Sequence, residues 1–493
     1  MSSSNLVRLA YKKEVTYGVT PASVKATVVI DDITYTAVNG GSQGNSITIQ
    51  YADTVTAGSE TVVVTGNAIL VNIEDGVSTA TQVSAAIGAS AAALALVTRV
   101  ITGTASDPQV TTAATNLAAG SGEWSTARFV SESYSGTPET TESQQIRTDR
   151  MSSGQVVTGL TVGGKHDIEL AKETAVEDFM ESAMFNTWSS LGLITRAATI
   201  NATAKTITSV TGSYITDGLV VGDFVRLGGY TNPENNVTVM LTDVTALVLT
   251  YVGPEGMVNG TGGTTTLQRG DKLSIGITKK SFSIEKSFLD LTTKAINYKG
   301  MLASGMELKV EYGSLISGAF TMSGNDYTTA DAASEFLTYQ SYIDDPATTQ
   351  SLNGSVDMPF LATDVTGSFE SGTFCIQSLN LNLSNNLTTQ TCIGKAAPEN
   401  YNPGTAKIEV SLSSYLKDSN WDMLARKLSQ DSFGLGFEVE NTDGWYGFYM
   451  PAIQVSFDDP ASGGANQDIS MDMTGQAKVG ANGESALTIY RSV

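Results

Sequence analysis

Few side chains of this sequence have the type and spacing that catalysis requires. His166 is the only histidine, and it stands between Lys165 and Asp167 in a strand-like segment. A Ser-His-Asp triad would have to use this histidine, but no nucleophile motif lies near it. Carboxylates are plentiful, yet their spacing marks no two of them as the acid and base of a glycosidase. The sequence therefore predicts no enzymatic activity.

Metal and cofactor sites have equally little support. One histidine and two separated cysteines, Cys375 and Cys392, supply no cluster of metal ligands. Residues 40–46 have the glycines of a phosphate-binding loop, but Asn45 stands where the lysine is needed, which favours a hairpin turn. Asp443 precedes a glycine in a segment that lacks the alternating ligands of a calcium loop. We therefore expect no cofactor and no metal ion.

The composition limits the class of protein. The chain has 493 residues, a formal net charge of −22 and only 16% charged residues. Its length predicts about two to four domains. Such an acidic chain lacks the clustered Lys and Arg that hold phosphates, although it can surround a nucleic acid without holding it. Abundant Thr, Val, Ile and Gly, with 11 prolines, predict many strands joined by tight turns.

The sequence also indicates a compartment. The first residues lack the apolar segment of a signal peptide, so we expect assembly in a reducing cytoplasm with free thiols. A disulfide between the two cysteines is the alternative. No apolar run approaches the roughly 18 residues of a membrane-spanning helix, so we expect no membrane association.

One segment, residues 167–188, organises the rest of the chain. It begins with the alternating polar and apolar side chains of a half-buried strand. Thr174 stands three residues before Glu177, the spacing of a capping box at the start of a helix. Apolar residues then recur at the period of an α-helix, and we expect them to pack this helix against the end of a β-sandwich. These residues are Val176, Phe179, Met180, Ala183 and Met184.

A similar segment lies near Asp418. Residues 407–412 alternate like a strand, and Asp418 or Ser419 is placed to cap a second helix. We expect the apolar side of that helix to pack in the same way as the first. Its residues are Trp421, Leu424, Ala425 and Leu428.

The two segments predict an internal duplication. The spacing of nine residues from Leu170 to Phe179 recurs from Leu412 to Trp421. Later strands that also align are residues 320–324 and 471–475. The predicted fold class is mainly β: a β-sandwich with a flanking α-helix occurs twice, and two small domains, one α+β and one all-β, are inserted in the first copy.

This duplication divides the chain into seven segments. They are an N-terminal arm and first strand (1–23), an inserted α+β decoration domain (24–121), the first part of the first repeat domain (122–194), an inserted small β-domain (195–269), the second part of the first repeat domain (270–324), a linker or long loop (325–371) and the second repeat domain (372–493). For the N-terminal arm, an ordinary edge strand and an arm that packs on a neighbouring subunit remain equal alternatives.

Four motifs, in this order along the chain, resemble those of the tail tube proteins (major tail proteins) of long-tailed, non-contractile bacteriophages. They lie at residues 11–21, 146–150, 179–188 and 376–387. The resemblance covers both repeat domains, which correspond to the tube domains of that family, and excludes both insertions. It implies a subunit that forms rings, with strands from all subunits joined in one closed intersubunit β-barrel around a channel.

The resemblance also implies partners. Rings would stack into a tube that holds a tape measure protein before DNA ejection, contacts tail terminator and tail-tip proteins, and conducts DNA without binding it specifically. Related rings contain six tube domains, so a chain with two of them would form trimers with pseudo-sixfold symmetry. A hexamer whose second domain sits outside the tube is the alternative. The protein would then be a virion component, assembled in the host cytoplasm.

We expect acidic side chains on polar strand faces to line this channel, with solvent outside the tube as the alternative location. The candidate lumen-facing acids are Asp167, Glu169, Glu307, Glu311, Glu409 and Asp468. The competing functions are an adhesin whose Ig-like insertions bind glycans or proteins and a polysaccharide-degrading enzyme. Residues 24–121 contain Tyr35, Tyr51 and no Trp, which is a low aromatic content for sugar stacking.

Overall fold

Strands account for most of the structure, as the composition predicts. The computed structural model describes residues 6–122, 124–145, 148–149, 151, 154–254, 256–291, 294–330, 342–343, 360–363, 376–418, 421, 423–462 and 467–493. The first elements are β1 (Val7–Lys13), β2 (Lys25–Ile30), β3 (Ile33–Gly40), β4 (Thr48–Asp53), β5 (Thr61–Thr65), β6 (Ala68–Ile73), α1 (Ala80–Ala89), α2 (Ala91–Leu96), β7 (Val97–Ile101), β8 (Thr112–Asn116), β9 (Trp124–Ala127), β10 (Ser131–Glu132), β11 (Ser135–Glu142), β12 (Gln155–Glu169) and α3 (Thr174–Met184).

The remaining described elements are strands, with one further α-helix. They are β13 (Ile194–Asn201), β14 (Thr206–Ser209), β15 (Phe224–Gly228), β16 (Thr238–Val244), β17 (Val248–Val252), β18 (Gly260–Arg269), β19 (Asp271–Ser274), β20 (Phe282–Phe288), β21 (Lys294–Glu311), β22 (Ser317–Gly324), β23 (Asp326–Ala330), β24 (Tyr342–Ile343), β25 (Phe360–Thr363), β26 (Ile376–Ser384), β27 (Thr388–Gln390), β28 (Asn400–Asn402), β29 (Lys407–Tyr415), α4 (Met423–Ser429), β30 (Phe433–Asn441), β31 (Gly444–Ser456), β32 (Ser470–Lys478) and β33 (Thr488–Arg491). Two compact units contain them.

The first unit comprises Met1–Arg128, Phe282–Met301 and Asp326–Asp345. One of its sheets has the order β9–β1–β20–β21–β23, with only the first part of β21 taking part. Strand β1 is therefore paired on both sides, which excludes one of the two alternatives for the N-terminal arm, an ordinary edge strand. The segment 325–371, predicted as a linker or long loop, contains the three strands β23, β24 and β25. The other residues from 331 to 371 lie outside the described part.

Residues 24–121 of this unit form a module of mixed α and β type. Its sheets have the orders β2–β3–β7 and β5–β6–β4–β8. Helix α1 begins with a capping box in which Thr79 and Gln82 bond each other's backbone N–H groups. The side chains of the sheets and helices form one core, which extends from Ala26 to Leu117.

The second unit comprises Phe129–Ser281, Leu302–Asn325 and Pro346–Val493. Its central sheet has the order β11–β12–β22–β21–β26–β29–β32–β31–β30, and all neighbours are antiparallel. The order β12–β22–β21 recurs as β29–β32–β31, and a helix follows β12 and β29 alike. Both predicted copies of the repeat thus contribute strands to this sheet.

The residue correspondence between the two copies differs from the predicted one. Met322 lies opposite Gly164, whereas Met473 lies opposite Leu412. If these methionines correspond, Leu412 matches Gly164 and not Leu170. Equal spacing in sequence was misleading because the connections between strand and helix differ in length.

This shift explains an error at the second helix. Trp421 precedes α4 and is 61% exposed, so the prediction that it packs in the core was wrong. Met423, the first residue of α4, is buried instead, and Leu424 is half-buried. Leu428 is exposed as well. The proposed cap Ser419 and the side chain of Ala425 lie outside the described residues.

Helix α3 is buried on all sides. The predicted stripe of Val176, Phe179, Met180, Ala183 and Met184 is buried, and so are the polar residues Glu177, Asp178, Glu181 and Ser182. The hydroxyl of Ser182 donates to the carbonyl of Lys280 (2.7 Å) and accepts from the amide of Ala303 (3.0 Å). Asn385 donates to the carbonyls of Ala183 (2.8 Å) and Ala303 (3.0 Å), which ties α3 to the sheet.

The start of α3 does not have the predicted capping box. Glu173 is the N-cap and makes no side-chain cap hydrogen bond, while Thr174 is already the first helical residue. Glu177 pairs instead with Lys172 at 2.5 Å and with Arg491. A buried carboxylate requires such partners because its desolvation is costly.

Arg491 joins four parts of the second unit. Its guanidinium bonds Glu177 of α3 and Asp271 of β19 (3.1 Å), and it lies 4.6 Å from the ring centre of Trp188. The strand that carries it, β33, pairs with β31 and β19 and has no counterpart among the predicted elements. The last strand of the chain, β33, therefore helps to hold α3 in place.

The predicted small β-domain is a closed six-stranded barrel of order β13–β14–β17–β16–β15–β18. Its interior is one apolar cluster that includes Ile200, Ile207 and Leu267. Outside it, an apolar cluster joins Phe224, Met240 and Val252 of the barrel to residues of the C-terminal strands. Those residues are Trp445, Tyr449 and Tyr490.

A buried acid lies beside this contact. Glu438 of β30 is 1% exposed, and burial together with the nearby charge of Glu440 raises its pKa to about 8. The hydroxyl of Thr238 on β16 bonds this carboxyl group and opposes the shift. Arg226 of β15 pairs with Glu440 at 2.7 Å. Glu438 is therefore protonated at neutral pH.

We expect Phe179→Ala to lower the free energy of unfolding by about 3–5 kcal/mol, because it leaves a cavity between α3 and the sheet. Urea unfolding followed by circular dichroism measures the change. Trp421→Ala removes a larger but exposed ring and should change stability by less than about 1 kcal/mol. Equal losses in the two variants would contradict this description of the helices.

We expect Glu438 to make the folded protein less stable as pH rises. Its folded pKa is about 8 against an ordinary 4.5, so the folded state binds this proton more tightly than the unfolded chain. Its stabilising effect is complete below the ordinary pKa and declines until pH passes the folded pKa. Glu438→Gln should therefore flatten the fall of Tm between pH 5 and 8, while the exposed-residue control Glu409→Gln should not. A parallel decline in all three proteins would exclude this role.

Candidate functional site

The groups most often used in catalysis are enclosed or dispersed. His166 is buried among the rings of Phe129, Tyr134 and Phe179, whose centres lie 5.5–6.2 Å from its own. Among the described residues, no three His, Cys, Asp or Glu side chains are grouped so as to hold a metal ion. Cys392 is exposed and unbridged, and Cys375 lies outside the described part. This arrangement offers no catalytic constellation.

None of the helices that the structure describes has the length and apolar character needed to cross a bilayer.

The most distinctive surface is the polar face of the central sheet. Along β21, Met306, Leu308 and Val310 are buried, while the alternate residues Glu307 and Lys309 are exposed. The same alternation holds along β26 and β29. A period of two puts all apolar side chains on one face, so the other face is left for polar ones.

The strand register aligns three of the predicted acids in one row across this face. In this row, each residue lies directly opposite the next on the neighbouring strand. The order is Asp167, Ala319, Glu307, Asn382 and Glu409. Each acid is separated from the next by one intervening strand. Strand spacing therefore puts neighbouring acids of this row about 9–10 Å apart.

Two further rows contain two other predicted acids. Glu169 shares a row with Ser317, Lys309, Asn380 and Ser411. Glu311 shares a row with Ser378, Ser413 and Asp472. The fourth row is formed by Lys165, Thr321, Gly305, Ser384 and Lys407. We call these four rows the row surface.

Asp468 does not belong to the row surface. It is exposed and precedes β32, which begins at Ser470, whereas Asp472 occupies the position on the strand. The alternation of β32 also identifies Asp472, because Met471 and Met473 on either side are buried. The sequence pattern placed the start of this strand at Asp468, two residues before its observed start at Ser470, and therefore indicated Asp468 and not Asp472.

Lysines interrupt the acidic rows. Three strands each carry a lysine two residues before a carboxylate, and the two side chains pair on the same face. The pairs are Lys165–Asp167 (3.4 Å), Lys309–Glu311 (2.8 Å) and Lys407–Glu409 (2.6 Å). Lys165 also bonds Glu307 across the sheet at 2.9 Å, and this hydrogen bond raises the pKa of the lysine. The sequence pattern Lys-x-acid was the available signal for these lysines.

The row surface is concave and weakly charged. A depression of about 700 Å³ lies over Lys165, Asp167, Glu307, Lys309 and Glu409. Six carboxylates and three lysines occupy the rows, and no aromatic side chain is among these residues. Such a surface offers neither the basic groups that bind phosphates nor the rings on which bases stack.

A hairpin at one side of the sheet forms a second distinctive surface. Strands β11 and β12 pair over Ser135–Gly163, and Val156 and Val157 on this hairpin are 64% and 57% exposed. The amide of Leu160 donates to the carbonyl of Ala396 (2.8 Å) in the loop that contains the fully exposed Ile393. Exposed apolar side chains on neighbouring segments are typical of a contact surface between proteins.

Comparison with known proteins agrees with a structural protein. Residues 4–477 match the family model described as phage tail tube protein. No curated protein is similar enough to the chain to give a match.

Proposed function

The chain belongs to the phage tail tube protein family, and we propose that its copies polymerise as stacked rings into the hollow tube of a long, non-contractile tail. Membership gives the protein a structural role in the virion, where copies assemble with one another into the tail tube. The family is one of structural proteins and not of enzymes. In the proposed tube, phage DNA passes through the bore into the host cell.

The row surface is the observation that supports this proposal. It is a concave sheet face whose four rows contain no large apolar side chain, whereas the apolar side chains of the opposite face are buried. We propose that it forms the inner wall of the tube. A wall that lacks basic clusters and aromatic rings lets a polyanion slide past without adhering.

The width of this face supports a trimeric ring. Strands lie about 4.8 Å apart and tilt by about 35–45° in closed barrels. Six strands from each of three copies would then close a wall about 40 Å across between backbones, and eight strands each about 50 Å. Side chains would reduce these values to a bore of about 30–40 Å, which admits a duplex roughly 20 Å wide.

A hexamer built from the same strands would be too wide. Six copies would give a wall of about 80 Å or more. A ring of that width would leave most of the bore unfilled around a single duplex. We therefore propose trimers with pseudo-sixfold symmetry, in which the two repeats of each chain act as successive wall segments.

The same proposal includes contacts beyond the ring. The exposed apolar residues of the β11–β12 hairpin and of the 391–399 loop would pack on the next ring of the stack. We further propose that a tape measure protein occupies the bore before ejection, and that tail terminator and tail-tip proteins close the ends. An adhesin is less well supported, because Tyr35 and Tyr51 are buried and bond each other, which removes them from sugar stacking.

We expect the expressed protein to form rings of three chains. Native mass spectrometry counts the chains of a ring, and negative-stain images show its bore. Six chains in a ring would contradict the trimer but keep the tube, whereas monomers at all concentrations would contradict the tube itself.

We expect Val156→Asp combined with Val157→Asp to prevent stacking, because it places charges in an apolar contact. Tubes should disappear from electron micrographs while rings remain. The control adds the same two charges through Val77→Asp and Val110→Asp, at valines of the 24–121 module that are also exposed (50% and 47%). Tubes of normal length and number in the hairpin variant would show that the hairpin is not the stacking contact.

A further inference from the structure

We propose that Lys165, Lys309 and Lys407 are built-in counter-ions of the tube wall, which set the charge that passing DNA meets. This inference rests on the proposed function, because it concerns the row surface as the inner wall. Each lysine lies on a different strand, two residues before a carboxylate, with the amino group 2.6–3.4 Å from that carboxylate. The arrangement therefore recurs in both halves of the chain.

The pairs do not have the character of stabilising ion pairs. Their side chains are 37–51% exposed, and ion pairs between exposed groups contribute little to stability. Stability alone therefore gives no reason for a lysine beside a carboxylate on all three strands. Their common effect is electrostatic: they neutralise half of the six carboxylates in the rows.

The distances make this charge important for DNA. A bore of about 30–40 Å leaves about 5–10 Å between the wall and a centred duplex. The Debye length is about 8 Å at physiological salt and about 30 Å at 0.01 M. Salt therefore screens the wall only in part, and a wall without lysines would repel the incoming strand more strongly. A wall with lysines in excess would instead hold it.

The row surface limits the repulsion of DNA and also avoids an excess of lysines that would hold it. Each of the three lysines is held by a carboxylate, and Lys165 by two, so none of these three amino groups projects alone toward the bore. A phosphate that approaches one of these lysines also approaches its carboxylate partner. The wall thus carries a small negative charge without a cationic site at which DNA could stop.

The test compares phage particles whose tails contain variant chains. The triple variant Lys165→Gln, Lys309→Gln and Lys407→Gln removes the counter-ions. The control variant Lys25→Gln, Lys205→Gln and Lys427→Gln changes the total charge equally, but its residues lie outside the row surface and outside the proposed stacking contact; like the wall lysines, Lys427 pairs with a carboxylate, that of Asp459 (2.6 Å). The half-time of DNA release after triggering with host envelope is followed with a DNA-binding dye at 10 mM and at 1 M NaCl.

We expect the wall variant to release DNA at least threefold more slowly than the wild type at 10 mM NaCl and at the same rate at 1 M. The control should match the wild type at both concentrations. Equal rates for wall variant, control and wild type at low salt would overturn the inference while leaving the tube intact. Electron microscopy of the tails separates this result from a failure of assembly, which would bear on the proposed function.

Two further variants keep the test decisive if the triple variant does not assemble. Lys407→Gln alone removes one exposed pair and should give a smaller slowing in the same direction. Lys165→Arg, Lys309→Arg and Lys407→Arg keep the charge and should release DNA at the wild-type rate. Slow release by the arginine variant would show that side-chain shape, and not charge, matters.

Discussion

A sheet with one apolar and one polar face must cover the first and can expose the second. In the second unit this constraint fixes both the position of α3 and the chemistry of the row surface. Phe179 packs edge-on against Phe320 of β22 at 5.6 Å and against the ring of His166. Because α3 fills the apolar side so completely, its own polar residues are buried and need partners such as Lys172, Arg491 and the carbonyl of Lys280. The burial of α3 and the exposure of the row surface thus both result from the alternation of apolar and polar residues along the strands.

The alternation also explains where the charge of the chain lies. The net charge of −22 suggests an acidic wall, but three lysines in the rows pair with four of the six carboxylates. Much of the acidity lies elsewhere: residues 24–121 alone contain seven carboxylates and two basic residues. A net charge describes solubility and long-range repulsion of the whole molecule, whereas passing DNA responds to the charges within a Debye length.

Local patterns in the sequence predicted what local physics decides. The alternation of residues 306–311 and the burial of the Phe179 stripe follow from spacing within one element, and both are present. The position of Trp421 required counting across a connection whose length the pattern did not reveal. Arg491 and the rows depend on pairings between residues far apart in sequence, which periodicity within one strand does not contain. The lysines were visible in the sequence, but only the register shows that they and the acids share one face.

The two inserted modules differ in how far they depend on the rest of the chain. Residues 24–121 have a core of their own that runs from Ala26 to Leu117, so their stability comes from within. The six-stranded barrel also has its own core, but it shares a second cluster with Trp445, Tyr449 and Tyr490, and its Arg226 pairs with Glu440. Loss of the barrel would expose three large aromatic rings and the buried carboxyl of Glu438, a substantial cost in hydrophobic burial and desolvation. The barrel is therefore part of the folding unit that carries the row surface, and an insertion in sequence is not a separable domain in structure.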